Sequence, residues 1–342
     1  MPAPLDRQDV WAADRPGLLS PVVAGDRDLI YVPNSKSNTV TEIDPHTFRV
    51  VHTFRVGVEP QHVVPSWDLK TLWVNNDLGN SLTALNPRTG RPGRTVQVND
   101  PYNLYFTPDG KYAVVMASAA HTLDFRDPHT MKLRHRTHVP CSGVNHADFS
   151  VDGRYFIVSC EFSSELLKVD TATFTVTKVR RLMARPNHVM PMPQDVKISP
   201  DGSTFYVADM KSDGIWFVDG ATVRVRRFLH TGQGAHGLYV TRDSKHLLIT
   251  NREEGSISVL DFATNRLVDR WRIPGGGSPD MGGLSTNGKV FWVSGRYNSE
   301  VYAISTVDGH LIRRIPVGVG PHGLCVFPQP GRYSLGHTGV LR

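Results

Sequence analysis

The chain has 342 residues, 39% of them hydrophobic, with 30 glycines and 24 prolines. That length is ample for a buried core, and the Gly and Pro content suits many short strands joined by turns. The formal net charge is +6 and the pI about 9.3. No nucleic-acid-binding motif accompanies that charge, and no stretch approaches the ~20 apolar residues of a membrane span, so neither nucleic acid nor a membrane is expected as a partner.

Residues 1–17 read as an N-terminal extension. Met1 to Ser20 lacks a basic start followed by an apolar run, so no signal peptide is expected and a cytoplasmic location is the expectation. From residue 18 the chain repeats itself with a period of about 43 residues. The segments LIYVPNSKSNTVTEID (from Leu29), TLWVNNDLGNSLTALN (Thr71), YAVVMASAAHTLDFRD (Tyr112), YFIVSCEFSSELLKVD (Tyr155), TFYVADMKSDGIWFVD (Thr204), HLLITNREEGSISVLD (His246) and VFWVSGRYNSEVYAIS (Val290) share one plan. An apolar run leads through a polar loop into a second alternating run that ends at a small polar or acidic residue.

Two more runs complete each unit. Upstream lies a short one closed by a turn, as in LYFTPDG, ADFSVDG and VKISPDG, where Pro presets φ and Gly accepts a positive φ. Downstream lies a run such as VVHTFRVG, VRRFLHTG or IRRIPVG. Its charges (Lys178 to Arg181, Arg224 to Arg227, Arg313-Arg314) suit an outermost strand whose open edge must resist aggregation. Four strands per unit and no helical period predict an all-β chain, a seven-bladed β-propeller over 18–330. The fragment PHGLCVFP from Pro321 supplies only a first strand and is expected to close the ring by joining the first blade. Six blades with irregular ends is the competing count. Residues 331–342 read as a tail without a place in the repeat. The three cysteines, Cys141, Cys160 and Cys325, are odd in number and far apart, and show neither a disulfide framework nor a zinc-type spacing.

The units resemble the YVTN-type β-propeller repeat, on the strength of YVPNSKSNTVTEID with GVEPQHV, YVADMKSDGIWFVD with SPDG, and GVGPHGLCV. The resemblance covers nearly the whole chain. It implies the fold, and a range of functions that includes surface-layer proteins, sugar-lactone hydrolases and the haem-binding propeller domain of cytochrome nitrite reductases. It selects none of them, because fold and function are separable.

In a propeller, the loop entering each innermost strand and the loop between the second and third strands share one face. The residue pairs at the first position are Gln61-His62, Tyr102-Asn103, Asn145-His146, Gln194-Asp195, His236-Gly237, Asp280-Met281 and His322-Gly323. Those at the second are Asn34-Ser35, Asn76-Asp77, Ala117-Ser118, Cys160-Glu161, Asp209-Met210, Asn251-Arg252 and Gly295-Arg296. Both sets are expected to converge on a central mouth. His62, His146, His236 and His322 are the candidate metal ligands there, for a divalent transition metal or copper, because imidazole suits those ions. The first two occupy the second place of their pair and the others the first. Successive strand residues point oppositely, so all four reach one ion only if the strand starts are irregular.

Glu161 or Asp195 is the candidate base and Arg252 or Arg296 the candidate holder of an anion. Metal-assisted hydrolysis or elimination on an anionic small molecule is the reaction class these residues support. A salt-bridge network between blades is the competing reading of the same charges. Cys160 lacks a visible partner to activate it as a nucleophile. The longer connection Leu182–Pro193, with His188, Met190 and Met192, reads as a lid over the mouth, and the other histidines, His337 among them, as surface or packing residues. Two further functions stay open: a non-catalytic protein-interaction scaffold, and the haem or tetrapyrrole binding that the resemblance implies.

Overall fold

The computed structural model describes residues 2–183 and 189–342; His188 of the long connection lies outside them. The described residues form seven four-stranded antiparallel sheets. Six are built from consecutive strands. The seventh is composite: Cys325–Phe327 pairs antiparallel with Leu29–Asn34, setting Ile30 opposite Val326 and Tyr31 opposite Cys325. The C-terminal strand thus closes the ring as the first blade's innermost strand. Blades 1 to 7 are numbered here by their second strands, which begin at Leu29, Leu72, Ala113, Tyr155, Thr204, His246 and Val290.

Burial follows position within the blade. Innermost strands such as Pro60–Pro65, Val144–Phe149 and Ala235–Val240 are buried at every residue, because both faces pack on neighbouring blades. The outermost strands, Arg49–Arg55 and Leu133–His138 for example, are largely exposed and carry the basic runs. Their charges meet local carboxylates: Arg134 pairs with Asp127 at 3.0 Å and Arg314 with Glu300 at 2.8 Å.

Innermost strands are stapled from blade to blade. The Asp148 carboxylate accepts the Ile198 N–H, Asp195 accepts the Leu238 N–H, and the Tyr105 hydroxyl accepts the Ala147 N–H, all at 2.9 Å. Each bond satisfies a backbone group that the propeller's splayed strands would otherwise leave buried and unpaired.

Both flanking segments pack on the propeller. Trp11 is buried and its indole N–H donates to the Ile198 carbonyl at 3.0 Å. The tail returns along the far ends of the innermost strands. Phe106 N–H bonds to Leu335 O, and His337 N–H reaches Leu104 O at 2.8 Å, further up the channel. Arg342 anchors the terminus on Asp148 at 2.9 Å and lies over the Trp11 ring. The tail therefore plugs the end of the channel opposite the mouth.

The cysteine expectation needs correction. Cys141 and Cys160 form a disulfide, and only Cys325 is free. Three other blades show what the bond replaces. A glycine leading into the blade (Gly57, Gly232 or Gly318) lies against the asparagine that ends its second strand (Asn76, Asn251 or Asn34). A Cβ on any of these glycines would meet that side chain within 2.6 to 2.7 Å. Blade 4 has cysteine at both places, and the same close approach becomes a covalent bond.

Candidate ligand and metal site at the channel mouth

A pocket of about 390 Å³ opens at the channel mouth. Lys36, Tyr102, Glu161, Gln194, His236, Arg252, Arg296, Tyr297 and His322 line it. Glu161, Arg252 and Arg296, expected from the sequence, thus share one wall system with two of the four nominated histidines. Asp195 is not among the lining residues. Its two oxygens accept the Val196 and Leu238 N–H groups at 2.8 and 2.9 Å, which accounts for its place in the channel wall. Burial pushes its carboxyl up to about 6, against the pull of Lys197 and those N–H groups.

The irregular strand starts that a shared histidine site requires are present. Register shifts interrupt the innermost pairing between Pro60 and His62, Val144 and Ala147, Ala235 and Leu238, and Pro279 and Gly282. A bulge re-aims the side chains it carries, so first- and second-place residues both turn into the channel. Close backbone approach also matters. A Cβ at Gly323 would stand 2.1 Å from His62 Cδ2, so glycine there leaves room for the imidazole.

The histidines pack against one another, with the His62 and His322 ring centroids 4.9 Å apart, and their polar partners sort them into two tiers. In the upper tier, Asp280 lies between His236 and His322. Its oxygens are 3.0 Å from His236 Nδ1 and 2.8 Å from His322 Nδ1, and Arg252 reaches the same carboxylate at 3.0 Å. Burial opposes ionisation of Asp280, but the two imidazoles and Arg252 outweigh it and hold the carboxyl well below its usual range. His322 turns its other nitrogen toward the Tyr102 hydroxyl, 3.5 Å away. Burial lowers the His322 pKa to about 4 although Asp280 pulls the other way.

The lower tier is His62, His146 and His337, all with no exposed surface. Their ligand nitrogens lie within 4.8 Å of one another. His62 holds the Tyr102 carbonyl through Nδ1 at 2.9 Å. Burial, and then neighbouring imidazoles, push all three well below the ordinary histidine value. Of the four histidines nominated from the sequence, His62 and His146 fall in the group whose ligand nitrogens lie within 4.8 Å of one another. His236 and His322 serve Asp280 and the pocket, while His337, read from the sequence as a packing residue, joins His62 and His146. No repeat alignment could nominate His337, because it lies in the tail outside the repeat.

One further expectation changes. Asn34, Asn76 and Asn251 do not reach the mouth; each amide turns to the third strand of its own blade, Asn76 to Ser81 and Thr83 and Asn251 to Ser256 and Ser258. Cys160 has its sulfur in the disulfide and is no nucleophile. Met192, in the long connection, bonds by its N–H to Asp209 at 2.9 Å, and Met190 is 47% exposed.

Solved structures share this architecture. The chain aligns with Kuenenia stuttgartiensis hydrazine synthase at a TM-score of 0.70 and 20% identity, over 86% of this chain and 96% of that one. It aligns with the dihydro-heme d1 dehydrogenase NirN, solved in complex with DHE, at 0.65 and 14%, over 95% and 79%. At such identities the likeness shows the fold alone. In sequence, the chain is 25% identical over 154 residues to the uncharacterized protein YncE of Salmonella typhi and 24% over 152 to that of Escherichia coli K12. Each match spans 43% of this chain and 42% of the relative. A model of the YNCE-like beta-propeller matches residues 19–332, and the chain is a member of that family.

Proposed function

We propose that the mouth pocket binds a small anionic molecule, with Arg296 and Lys36 as its principal charge partners. The observation that carries this reading is uncompensated positive charge at a concave site. Arg296 and Lys36 both line the pocket, and neither pairs with a carboxylate among the described residues. Among the described residues, the Arg296 guanidinium bonds to the Ser35 hydroxyl and the Gly320 carbonyl, at 3.2 and 3.3 Å. Arg252 is partly committed to Asp280, yet its Nε–H is buried without a partner. A guanidinium in that state gains from a carboxylate or phosphate that completes its hydrogen bonds. The pocket volume lies near the low end of the range for ligand sites, which favours a compact molecule over a tetrapyrrole.

Glu161 is the base for a hydrolysis or elimination on that anion. It lines the pocket, accepts an Asn145 N–H at 2.9 Å, and is pushed above its usual range by burial. Asp195, with both oxygens engaged, is left out of this role. The Cys141–Cys160 disulfide supports an oxidising compartment over the cytoplasm expected from the sequence. Among the described residues, no helix is long and apolar enough to cross a membrane.

Calorimetric titration with a panel of small carboxylates and phosphate esters tests the reading. At least one is expected to bind, and Arg296→Ala with Lys36→Ala should weaken it at least ~30-fold, the loss of about 2 kcal/mol that two charge-assisted contacts represent. Glu161→Gln should keep the binding and abolish turnover. Binding that is indifferent to both cations rejects the proposal. A Soret band on haem addition would favour the tetrapyrrole reading instead.

A further inference from the structure

We propose that His62, His146 and His337 bind a single first-row transition-metal ion beneath the pocket, at a site that exists only because the C-terminal tail carries the third ligand into the channel. Two observations independent of the anion pocket carry this. The first is convergence: an innermost strand of blade 2, one of blade 4 and the tail bring three imidazoles together, with ligand nitrogens within 4.8 Å of one another. The ring centroids of His146 and His337 are 4.9 Å apart, and those of His62 and His337 5.2 Å.

The second is unsatisfied chemistry. His62 Nε2, both ring nitrogens of His146, and His337 Nε2 are buried without hydrogen-bond partners. Four such atoms in one place are costly to leave unpaired. Imidazole nitrogens that face one another and lack hydrogen-bond partners are what a metal ion would satisfy.

The surroundings fit the part. His62 Nδ1 donates to the Tyr102 carbonyl, which fixes its tautomer and leaves Nε2 as the lone-pair donor facing inward. The Asn103 amide nitrogen faces His337 Nδ1 at 3.1 Å while its oxygen accepts the Leu104 N–H at 2.9 Å, so coordination through Nε2 requires that amide to turn over and give up the Leu104 bond. Binding at 2.0–2.1 Å would draw the nitrogens in to separations of ~3.4 Å, a closure that side-chain rotation supplies. Three neutral nitrogens leave further coordination positions open. The His322 ring, which lines the pocket, stands 4.9 Å from that of His62, so the site adjoins the pocket. Three protein ligands and an open position make a Lewis-acid centre of the catalytic kind. This deepens the pocket reading, since a bound anion would sit above the ion, but it does not depend on that reading.

Cobalt(II) titration of chelator-treated protein is the test, with zinc(II) competition and melting temperature read alongside. One equivalent should bind, with visible ligand-field bands displaced by zinc and a rise in melting temperature. His337→Gln and His62→Gln should each abolish the bands while keeping the circular dichroism of the parent, and His236→Gln should leave them in place. Binding unaltered in His337→Gln, or below about a tenth of an equivalent in the parent, overturns the proposal. If His337→Gln does not fold, copper(II) electron paramagnetic resonance of the parent decides: superhyperfine coupling to three nitrogens supports the site, and an all-oxygen signal removes it. Anion binding lost with metal binding intact would fault the pocket reading alone.

Discussion

Asp77 shows how one residue's surroundings write a pH dependence into the mouth face. It lies near Asp100 and Glu59, and burial, then the Asp100 charge, push its carboxyl up to about 7. Asp100 is raised too, chiefly by burial, although the Ala120 N–H at 2.6 Å and the Asp77 carboxyl both favour its ionised form. The pair therefore holds one proton, carried on Asp77. A carboxyl raised on folding binds its proton more tightly in the native state, so it stabilises below the unfolded value near 4 and loses that contribution as pH climbs through about 7. Asp77→Asn removes the ionisation, and should gain on the order of 1 kcal/mol over the parent at pH 8 and nothing at pH 4. Urea unfolding at the two pH values measures it, and parallel stabilities would reject the shared proton. Which loop side chains face the mouth was only partly legible in the sequence. Asn34, Asn76 and Asn251 end their strands pointing sideways at Ser or Thr two places into the next strand, whereas Arg252, the residue after Asn251, lines the pocket. The Thr-x-Thr, Ser-x-Thr and Ser-x-Ser patterns that receive those amides were legible in the chain.

Two elements escaped the sequence reading for different reasons. The disulfide was legible in principle. Cys141 occupies the glycine position before the innermost strand and Cys160 the asparagine position after the second, and those places touch in blades 1, 2 and 6. Sequence separation hid it, since adjacency in the repeat, not along the chain, decides contact. Denatured, unreduced protein should show one reactive thiol, Cys325, rather than three. Replacing Cys141 and Cys160 with serine should cost about 3 kcal/mol, the value for closing a loop of this size. Three thiols, or a double variant as stable as the parent, would remove the bond. The tail was not legible at all. Residues 331–342 match no unit of the repeat, and their place depends on Tyr333, Leu335, Val340 and Leu341 finding apolar cover under the ring. With them travels His337, the one site residue no alignment of blades could supply.

Across the whole molecule, the repeat fixed the blade number and the side on which the loops gather, because each unit can bury its faces only against its neighbours. Ring closure carries that logic to its end. Cys325, Val326 and Phe327 are buried in blade 1, and with them removed the second strand of that blade, Leu29–Asn34, becomes an open edge facing the channel. The closing strand and the plug that follows it make separable contributions. Deleting 329–342 leaves all 28 strands of the ring paired but strips the channel floor, so the protein should still unfold cooperatively at a lower denaturant midpoint, and should lose metal binding with His337. Deleting 320–342 also opens the ring. That variant should lose the single sharp transition, expose apolar surface to a hydrophobic dye and aggregate through blade 1, since an unclosed array of blades retains two unpaired flanks. If both truncations unfolded alike, with one cooperative transition at a common midpoint, the C-terminal strand would be an accessory to a ring held shut by blade packing, and the convergence of distant residues on the mouth would rest on that packing alone.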